Sequence, residues 1–510
     1  MNKKIIIIVS LLLVLVMIFV GCTSKPTPQT PQKDTLIVAT NAPPVDLDPH
    51  GTNDQNTNYV RYQIYEPLVS IGIDGSIEPG LATEWEWVDN TTINFKLREG
   101  VKFHNGKELI AEDVLFSLAR AAEQSFTASN MVSVLLDQCK ILDDGRIQIK
   151  LEVPQGALLS RLAQVMIFNK ETWESAGQEE MLKNPVGTGP YKLTLWAQGD
   201  RLEFAAFDDY WDGPLVFKKL IMRIIPEAAA RSLEIEAGTV DVALSIPDSN
   251  VEGLKANKDI KVSSDPVYKI TYLGFDANVA PYDNVLVRQA LTYAIDRDTI
   301  TDLVYFGLAT PATHGRMTTV HWGYTEDGVM NYSYDPQKAK QLLADAGYPN
   351  GFDMTLALSE AERDQIDMSE ILQNQFKEVG INVKLEIIEN STFLNMIVNG
   401  GFDAFLLNST GSSGDPGEVL RSFIADRPTW SNTTRYVNQY LTDLILEGQQ
   451  TIDENKKLEI FKEAQQIISE ECPWVFIVHN RYTFATRSNI GGLTAYPSTI
   501  LKYKEAFIVN

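Results

Sequence analysis

The sequence predicts an α/β protein made of two folded bodies. Within residues 268–297 the spacing of the apolar residues changes from that of a strand to that of a helix. Tyr268, Ile270 and Tyr272 alternate as in a strand, and after Pro281 the apolar positions follow the spacing of a helix. From residue 284 onward helix-like and strand-like patterns alternate, as they do in α/β domains. A chain of 510 residues is also too long for one ordinary core. We therefore expect residues 268–297 to open a second unit, with a cleft between two bodies.

The composition excludes a nucleic-acid-binding protein. The chain carries 44 basic and 67 acidic residues, a formal net charge of -23. Nothing in it resembles the basic stripe that nucleic acid requires. A hydrophobic fraction of 44% is typical of a globular protein. The excess of acidic residues mainly indicates a soluble surface.

The N-terminus predicts export. Two lysines precede an apolar run at residues 5–20, which is short for a membrane-spanning helix and of the right length for a signal-peptide core. The run ends at Gly21 and Cys22 and resembles the lipobox of bacterial lipoproteins, although Phe19 replaces the usual leucine. This resemblance implies a signal peptide over residues 1–22 and a lipid on Cys22, and a plain membrane-anchor helix is the alternative. The Pro-, Thr- and Gln-rich residues 23–34 predict a flexible tether.

The first half of the mature chain mixes short strands with helices. Strand-like alternation is clear at Thr91 to Leu97, and residues 111–122 form an amphipathic helical pattern. The further elements that the spacing predicts are a strand at 35–40, a helix at 59–69, a hairpin at 71–77, a strand at 146–153 and a helix at 156–168.

Residues 184–193, with two glycines and two prolines, predict a tight turn. The segment superficially resembles a phosphate-binding loop, but the required lysine and serine are missing and Pro190 removes an amide donor. We expect it to deliver Tyr191 into a strand.

The second half repeats helix-then-strand units. Asp335 and Pro336 are typical of a helix start, and Gly347 is typical of its end. Further helices are predicted at 368–379 and 391–399, and strands at 383–387 and 402–407. The last strand opens into residues 408–416. Because ligands of α/β sheets gather beyond the carboxyl ends of strands, this loop is a binding-site candidate.

No catalytic or metal motif emerges. The five histidines are scattered, without zinc-ligand spacing. The segment GSSGDPG lacks the final glycine of a nucleophile elbow. Acidic residues are too numerous to select a glycosidase pair. Cys139 and Cys472 are expected to be buried thiols, although a disulfide between them is left open. We therefore expect no enzyme and no cofactor.

Several long motifs carry a resemblance that covers the whole mature chain in order. The segments FKLREGVKFHNGKELIAEDVLFSL, NPVGTGPY, YLGFDAN, PYDNVLVRQALTYAIDR and YDPQKAKQLLADAGYP resemble the family 5 extracellular solute-binding proteins of peptide and nickel ABC importers. One departure is Ile110, where the family often has a capping threonine. The resemblance implies a two-lobed periplasmic-binding-protein-like fold of type II, in the large three-subdomain variety, with a hinge. The boundaries that it implies are lobe I at 35–271 plus 482–510, with an inserted subdomain at roughly 76–183, and lobe II at 272–481.

The resemblance also implies a function. Such proteins capture a short peptide by hinge closure and deliver it to a permease with its ATPase subunits. The expected protein is a monomer, held by its lipid at the extracytoplasmic face of the membrane or in the periplasm. Peptide-binding relatives pair the ligand amine with an aspartate four residues before a proline. Here Pro416 keeps the frame, but Ser412 stands at the aspartate position and Ser409 replaces the usual tryptophan. Asp415 is then the nearest acid, and its alternative role is to cap a turn.

The segments GSSGDPG, GLATPATHGR and ISEECPWVFIV are similar to the glutathione-binding and short-peptide-binding subgroup. Such ligands carry carboxylates, for which a planar guanidinium is a natural partner. Arg316 and Arg363 are the candidates, with a surface position as the alternative for each. Trp322 and Trp430 are candidate aromatic walls, and packing is their alternative role.

Three other functions stay open. A nickel-chelate-binding protein of the same fold would place a histidine such as His314 or His479 at the cleft. A secreted hydrolase would need a nucleophile or a carboxylate pair there. A surface adhesin or signalling receptor would bind its ligand without a neighbouring permease.

Overall fold

The computed structural model describes residues 33–52, 54–124, 126–411, 413–425, 427–428 and 431–509. Its main element is an eleven-stranded mixed sheet. The strands of this sheet are, in chain order, β1 (Thr35–Thr40), β2 (Tyr191–Ala197), β3 (Arg201–Ala206), β4 (Lys219–Ile224), β5 (Val242–Ala243), β6 (Ile260–Phe275), β7 (Thr310–Pro311), β8 (Asp353–Ser359), β9 (Asn382–Ile388), β10 (Ala404–Thr410) and β11 (Val475–Arg487).

The two longest strands, β6 and β11, form an antiparallel ribbon in the middle of the sheet. The spatial order is β2-β3-β4-β1-β5-β11-β6-β10-β8-β9, and β7 also pairs with β11. Strands from the first half of the chain continue the sheet beyond β11, and strands from the second half continue it beyond β6. The ribbon therefore connects two groups of strands at the residues where the sequence predicts the crossings between lobes. Among the described residues, parallel pairing is confined to β1 with β4 and β5, and to β8 with β9 and β10.

Helices cover both halves of the sheet. The α-helices among the described residues are α1 (Gln55–Ile64), α2 (Ala111–Glu123), α3 (Leu158–Leu162), α4 (Lys170–Ala176), α5 (Gln178–Lys183), α6 (Ala228–Ala237), α7 (Val251–Lys255), α8 (Val285–Tyr293), α9 (Arg297–Tyr305), α10 (Pro336–Asp345), α11 (Arg363–Glu378), α12 (Asn390–Asn399), α13 (Pro416–Val419), α14 (Gln439–Gln450) and α15 (Glu454–Glu471).

Most of the elements predicted from spacing are confirmed. The strand at Tyr268 is part of β6, and α8 follows it with Asn284 as its cap. The Asp335 carboxylate accepts a hydrogen bond from the Lys338 amide at 2.8 Å, as expected for the start of α10. At the start of α2, Ile110 supplies no side-chain cap. The missing cap agrees with the departure noted in the sequence.

Two predicted helices are wrong in extent. The pattern at 59–69 belongs to α1, which begins earlier because the Asp54 side chain accepts a hydrogen bond from the Thr57 amide at 2.8 Å. It ends before Pro67, which lies in a short strand paired with residues 166–167. The predicted helix at 156–168 shrinks to α3 because its last residues form that partner strand. Strand pairing between remote segments overrides the local helical spacing in both places.

The turn at 184–193 packs against the end of α1. A Cβ atom on Gly187 would lie 2.0 Å from the Ile64 carbonyl oxygen, so only glycine allows this approach. The turn delivers Tyr191 into β2, as predicted.

Smaller sheets lie outside the main one. A four-stranded antiparallel sheet stands within the segment predicted as an inserted subdomain. Its strands are Ala82–Asp89, Thr92–Leu97, Ile147–Lys150 and Lys140–Ile141. A short hairpin pairs 69–71 with 77–79, and a separate antiparallel pair joins 490–491 with 507–508.

The buried apolar residues form separate clusters along the chain. One cluster lies wholly between Ile270 and Val478, and a second combines residues between Leu36 and Val267 with residues between Tyr482 and Ala506. A third lies between Leu68 and Ile167. Several cores are what a chain of this length needs. The lobe boundaries themselves stay a prediction.

Both described cysteines are free thiols, with Cys472 buried and Cys139 half-buried. Within the described residues, no helix has the length and apolar character needed to cross a bilayer. The predicted signal peptide, lipidation site Cys22 and most of the tether lie outside the described residues.

Candidate functional site

A cavity of about 770 Å³ lies beside the β6–β11 ribbon. Residues 245–249 and 497–500, from predicted lobe I, form one part of its wall. Residues 304–308 and 363–367, from predicted lobe II, form another part. The cavity, which we call the main cleft, is within the size range of small-ligand sites.

Charges of both signs line the main cleft. The basic residues are Arg61, Lys269, Arg363 and Arg481, and the acidic residues are Asp248, Asp364 and Asp367. Several of them already have partners. The Asp364 carboxylate accepts a hydrogen bond from the Tyr305 hydroxyl at 2.9 Å, and Arg481 donates through Nε to the Ser264 carbonyl oxygen at 3.1 Å. A cleft of this kind suits a ligand that carries both an ammonium and a carboxylate group.

Asp248 is an acid of the main cleft whose carboxylate has one weak partner among the described residues and can still accept hydrogen bonds from a ligand. Its carboxylate accepts one long hydrogen bond, at 3.3 Å, from the Thr483 hydroxyl, and it forms no ion pair with any described residue. Burial raises the pKa of Asp248 to about 6, and the negative charge of Asp364 also raises it. The Thr483 hydrogen bond and the positive charge of Lys269 act in the opposite direction and lower it. A cation bound beside the Asp248 carboxylate would lower its pKa.

Arg363 stands at the rim of the main cleft. It is the first residue of α11, and its side chain is 79% exposed. It forms an ion pair with Asp367, one helical turn later, at 2.6 Å. The predicted carboxylate partner is therefore accessible from the cleft, although a ligand would compete with Asp367 for it.

Asp415 is not free for a ligand amine in this structure. Its carboxylate forms an ion pair with the Lys457 ammonium, and both side chains are buried. The same carboxylate caps α13 by accepting a hydrogen bond from the Gly417 amide at 2.8 Å. The turn-capping role that the sequence left as an alternative is thus present. Ligand contact at Asp415 stays a prediction that would require displacing Lys457.

Trp322 lies with Asp415 rather than in the main cleft. The two residues line a separate cavity of about 260 Å³ together with Trp85, Trp87 and Lys457. The Lys457 ammonium stands 5.0 Å from the centre of the Trp322 ring, a cation–π contact. The role of Trp322 as an aromatic wall for the ligand stays a prediction.

Arg316 lines a third cavity, of about 240 Å³, which we call the side pocket. Thr410 and Gly411, at the end of β10, line both the side pocket and the main cleft. The structure therefore brings Arg316 and the predicted binding loop together. Ser412 and Trp430 lie outside the described residues, so their predicted roles stay predictions.

Sequence reasoning missed several charged residues of these cavities. Asp364 directly follows Arg363, and Glu418 and Arg421 follow the GDP turn at helical spacing. Their closeness in sequence to the predicted site residues could have identified these three residues as candidates. Asp248 and Lys457 are distant in sequence from the other site residues, so only the fold reveals them.

The histidines form no metal site that the structure shows. His479 is buried, which lowers its pKa to about 3, so the imidazole is neutral. Among the described residues, no group of three or more potential ligands could hold a metal ion.

Curated proteins match over nearly the whole chain. A dipeptide-binding protein of Escherichia coli is 30% identical over 500 residues, covering 91% of this chain and 93% of the relative. A heme-binding protein A of Haemophilus influenzae is 29% identical and covers 90% of both chains. A glutathione-binding protein of Shigella flexneri is 28% identical over 485 residues, covering 92% of this chain and 94% of the relative.

A solved structure shows the same architecture. The periplasmic binding protein DppA from Helicobacter pylori, in complex with the peptide STSA, is 26% identical and superposes with a TM-score of 0.74. The match covers 93% of this chain and 98% of the other. The predicted α/β fold of the periplasmic-binding-protein type is confirmed.

The family described as bacterial extracellular solute-binding proteins, family 5 Middle, matches residues 76–430, most of the chain. This match agrees with the resemblance read from the sequence motifs. The chain belongs to the family 5 bacterial extracellular solute-binding proteins.

Proposed function

We propose that the protein is a lipid-anchored solute-binding protein of an ABC importer that captures short peptides. A glutathione-like tripeptide is the favoured ligand, and the protein binds it without making or breaking bonds. The observation that carries the proposal is the main cleft, whose 770 Å³ is lined by separate acidic and basic side chains. Relatives that bind a dipeptide or glutathione support the same ligand class.

The mechanism follows from the position of the main cleft beside the β6–β11 ribbon. Lobe I is proposed at 35–271 plus 482–510, including an inserted subdomain at about 76–183, and lobe II at 272–481. The ribbon carries both crossings and serves as the hinge. A ligand that contacts both lobes favours the closed form, because those contacts exist only when the lobes approach. The permease and its ATPase subunits would then receive the closed monomer.

Ligand discovery is the first test. Mass spectrometry of whatever co-purifies with the mature domain is followed by thermal-shift assays with di- to pentapeptides, glutathione, haem and nickel chelates. A ligand at a thousand times its Kd adds about 4 kcal/mol to the free energy of unfolding. A concentration-dependent rise in Tm with peptides supports the proposal. A rise in Tm with haem or a nickel chelate alone would show that the ligand is that compound and not a peptide. Consumption of a peptide would indicate a hydrolase.

The lipid anchor predicts a change in location. Cys22→Ser is expected to move the protein from the membrane fraction to the soluble fraction, because a serine cannot carry the thioether-linked lipid. Cell fractionation and immunoblotting measure the distribution. Cys139→Ser, far along the chain, serves as the control and should remain with the membrane. Membrane retention of Cys22→Ser would contradict the lipidation proposal.

The ligand amine is proposed to bind between Asp248 and Asp364. Asp248 belongs to predicted lobe I and Asp364 to predicted lobe II, and their charges repel each other across the main cleft. An ammonium between them removes that repulsion and attracts both carboxylates. The amine therefore favours closure of the lobes, and it requires neither Ser412 nor Asp415.

The ligand carboxylate is proposed to meet Arg363. Arg363→Gln is expected to weaken a free-acid peptide by about 0.5–1 kcal/mol, or roughly two- to fivefold, because the guanidinium is exposed and already shared with Asp367. Calorimetric titration measures the change. Lys377→Gln, near the other end of the same helix, is the matched control. An equal loss with the C-terminal amide of the peptide would show that Arg363 does not bind the carboxylate.

A further inference from the structure

The side pocket is a polar recess next to the main cleft. Its volume is about 240 Å³, and two arginines and one glutamate line it. Hydroxyl side chains complete much of the wall, at Ser409, Thr410, Ser413, Ser422, Ser431 and Thr433. Because Thr410 and Gly411 line both cavities, a ligand in the main cleft lies beside the side pocket.

Arg316 is a buried cation with unused hydrogen-bonding capacity. Its residue is only 8% exposed, and its guanidinium stands 4.8 Å from the ring centre of Trp474. Nε donates to the Val419 carbonyl oxygen at 2.7 Å, while the buried Nη1 has no hydrogen-bond partner among the described residues. No described carboxylate forms an ion pair with it. Burial lowers its pKa to about 10, so it stays charged at neutral pH.

An unpaired, buried guanidinium is costly unless something compensates for its charge. Packing on Trp474 compensates only in part, because the ring offers no hydrogen-bond acceptor for Nη1. The missing component is therefore an acceptor that carries negative charge.

The one described glutamate of the side pocket cannot supply that charge. Oε1 of Glu418 accepts hydrogen bonds from Arg161, through Nη2 at 2.6 Å and Nε at 3.0 Å. Oε2 of Glu418 accepts from Nη1 of Arg421 at 3.1 Å. The charge of Arg427 also acts on Glu418. Three guanidiniums thus act on one described carboxylate, and Arg316 lines the same pocket without pairing with it. The result is a local positive excess in a protein of formal charge -23.

We propose that the side pocket binds a carboxylate-bearing side chain of the peptide in the main cleft. Arg316 supplies the buried donor, Arg421 the second cation, and the hydroxyl groups the remaining hydrogen bonds. This selectivity for acidic peptides rests on the proposed peptide-binding function. It assigns a role to Arg316 that differs from holding the chain terminus, which is proposed for Arg363.

Calorimetric titration with matched tripeptides tests the proposal. Each of the three positions of an alanine tripeptide is replaced in turn by Glu and by its neutral counterpart Gln. At least one Glu peptide is expected to bind the wild-type protein tenfold or more tightly than the Gln peptide. Arg421→Gln should reduce this preference, and Ser409→Trp should abolish it by filling the side pocket. Arg201→Gln, which removes an equally exposed arginine of β3, should leave the preference unchanged.

The outcomes separate the two proposals. Equal affinity for Glu and Gln peptides at every position overturns the side pocket as an acidic subsite and leaves peptide binding intact. If none of the alanine peptides binds, the side pocket is judged with glutarate, and the proposed function fails only when the wider thermal-shift panel also yields no peptide ligand. A glutarate-dependent rise in Tm that is lost in Arg421→Gln supports it, with sodium chloride at matched ionic strength as the control. No rise overturns it. Circular dichroism spectra establish that each variant is folded.

Discussion

Asp415→Ala is expected to lower the free energy of unfolding by about 3–5 kcal/mol, because it leaves the ammonium of Lys457 buried without its counter-ion. The Lys457 side chain is 6% exposed, and its one other hydrogen bond among the described residues goes to the Gly156 carbonyl oxygen at 2.9 Å. The substitution also removes the cap of α13. Urea denaturation of the mature domain, followed by fluorescence, measures the loss.

Asp453→Ala is the matched control for the cap. Asp453 is exposed and caps α15 by accepting a hydrogen bond from the Lys456 amide at 2.8 Å. Its removal should cost only about 1 kcal/mol. The double variant Asp415→Asn with Lys457→Met keeps a capping side chain and removes both charges, so it should recover much of the stability. Equal losses in Asp415→Ala and Asp453→Ala would show that the ion pair contributes little.

This experiment also decides the role that the sequence suggested for Asp415. If the folded double variant binds peptides with unchanged affinity, Asp415 is structural. If affinity for free-amine peptides falls while stability is recovered, Asp415 contacts the ligand after displacing Lys457.

The sequence was sufficient for elements whose apolar spacing and end signals agree. The strand around Tyr268, the helix capped by Asp335 and the turn before Tyr191 were all predicted, because their signals lie within a few neighbouring residues. The helix predicted at 156–168 was too long because its end pairs with residues 66–67, and no local signal marks that remote partner.

The candidate site was predictable only in part for the same reason. The loop after β10 and Arg316 could be proposed from motifs. The pairing of Asp415 with Lys457 joins residues 42 positions apart, and the charges around Glu418 include Arg161 from another part of the chain. A charged residue looks the same in a sequence whether solvent, a partner or a ligand neutralises it.

Peptides with a free amino terminus are expected to lose affinity as the pH falls through about 6. In the free protein Asp248 has a pKa of about 6, raised by burial, so below that pH it must release a proton before it can pair with an ammonium. The loss approaches tenfold per pH unit and continues until the lower pKa of the bound state is reached. Calorimetric titration between pH 4.5 and about 7.5 covers the window set by that pKa.

Asp248→Asn and an N-acetylated peptide are the two controls. Asparagine cannot ionise, so the variant should bind weakly and with little pH dependence. The acetylated peptide lacks the ammonium and should show a flat profile with the wild-type protein. An equally steep profile for the acetylated peptide would assign the pH dependence to another group and contradict the proposed amine site.

The same pKa has the opposite effect on the stability of the free protein. A carboxyl group whose pKa is raised on folding, from an ordinary 3.8 to about 6, stabilises the folded state most below 3.8, and this contribution is lost as the pH rises through 6. Relative to Asp248→Asn, the ligand-free protein should therefore become less stable between those values, while its affinity for the amine increases. If stability falls and affinity rises as the pH increases, the ionised Asp248 carboxylate destabilises the ligand-free protein and stabilises the complex with the ligand.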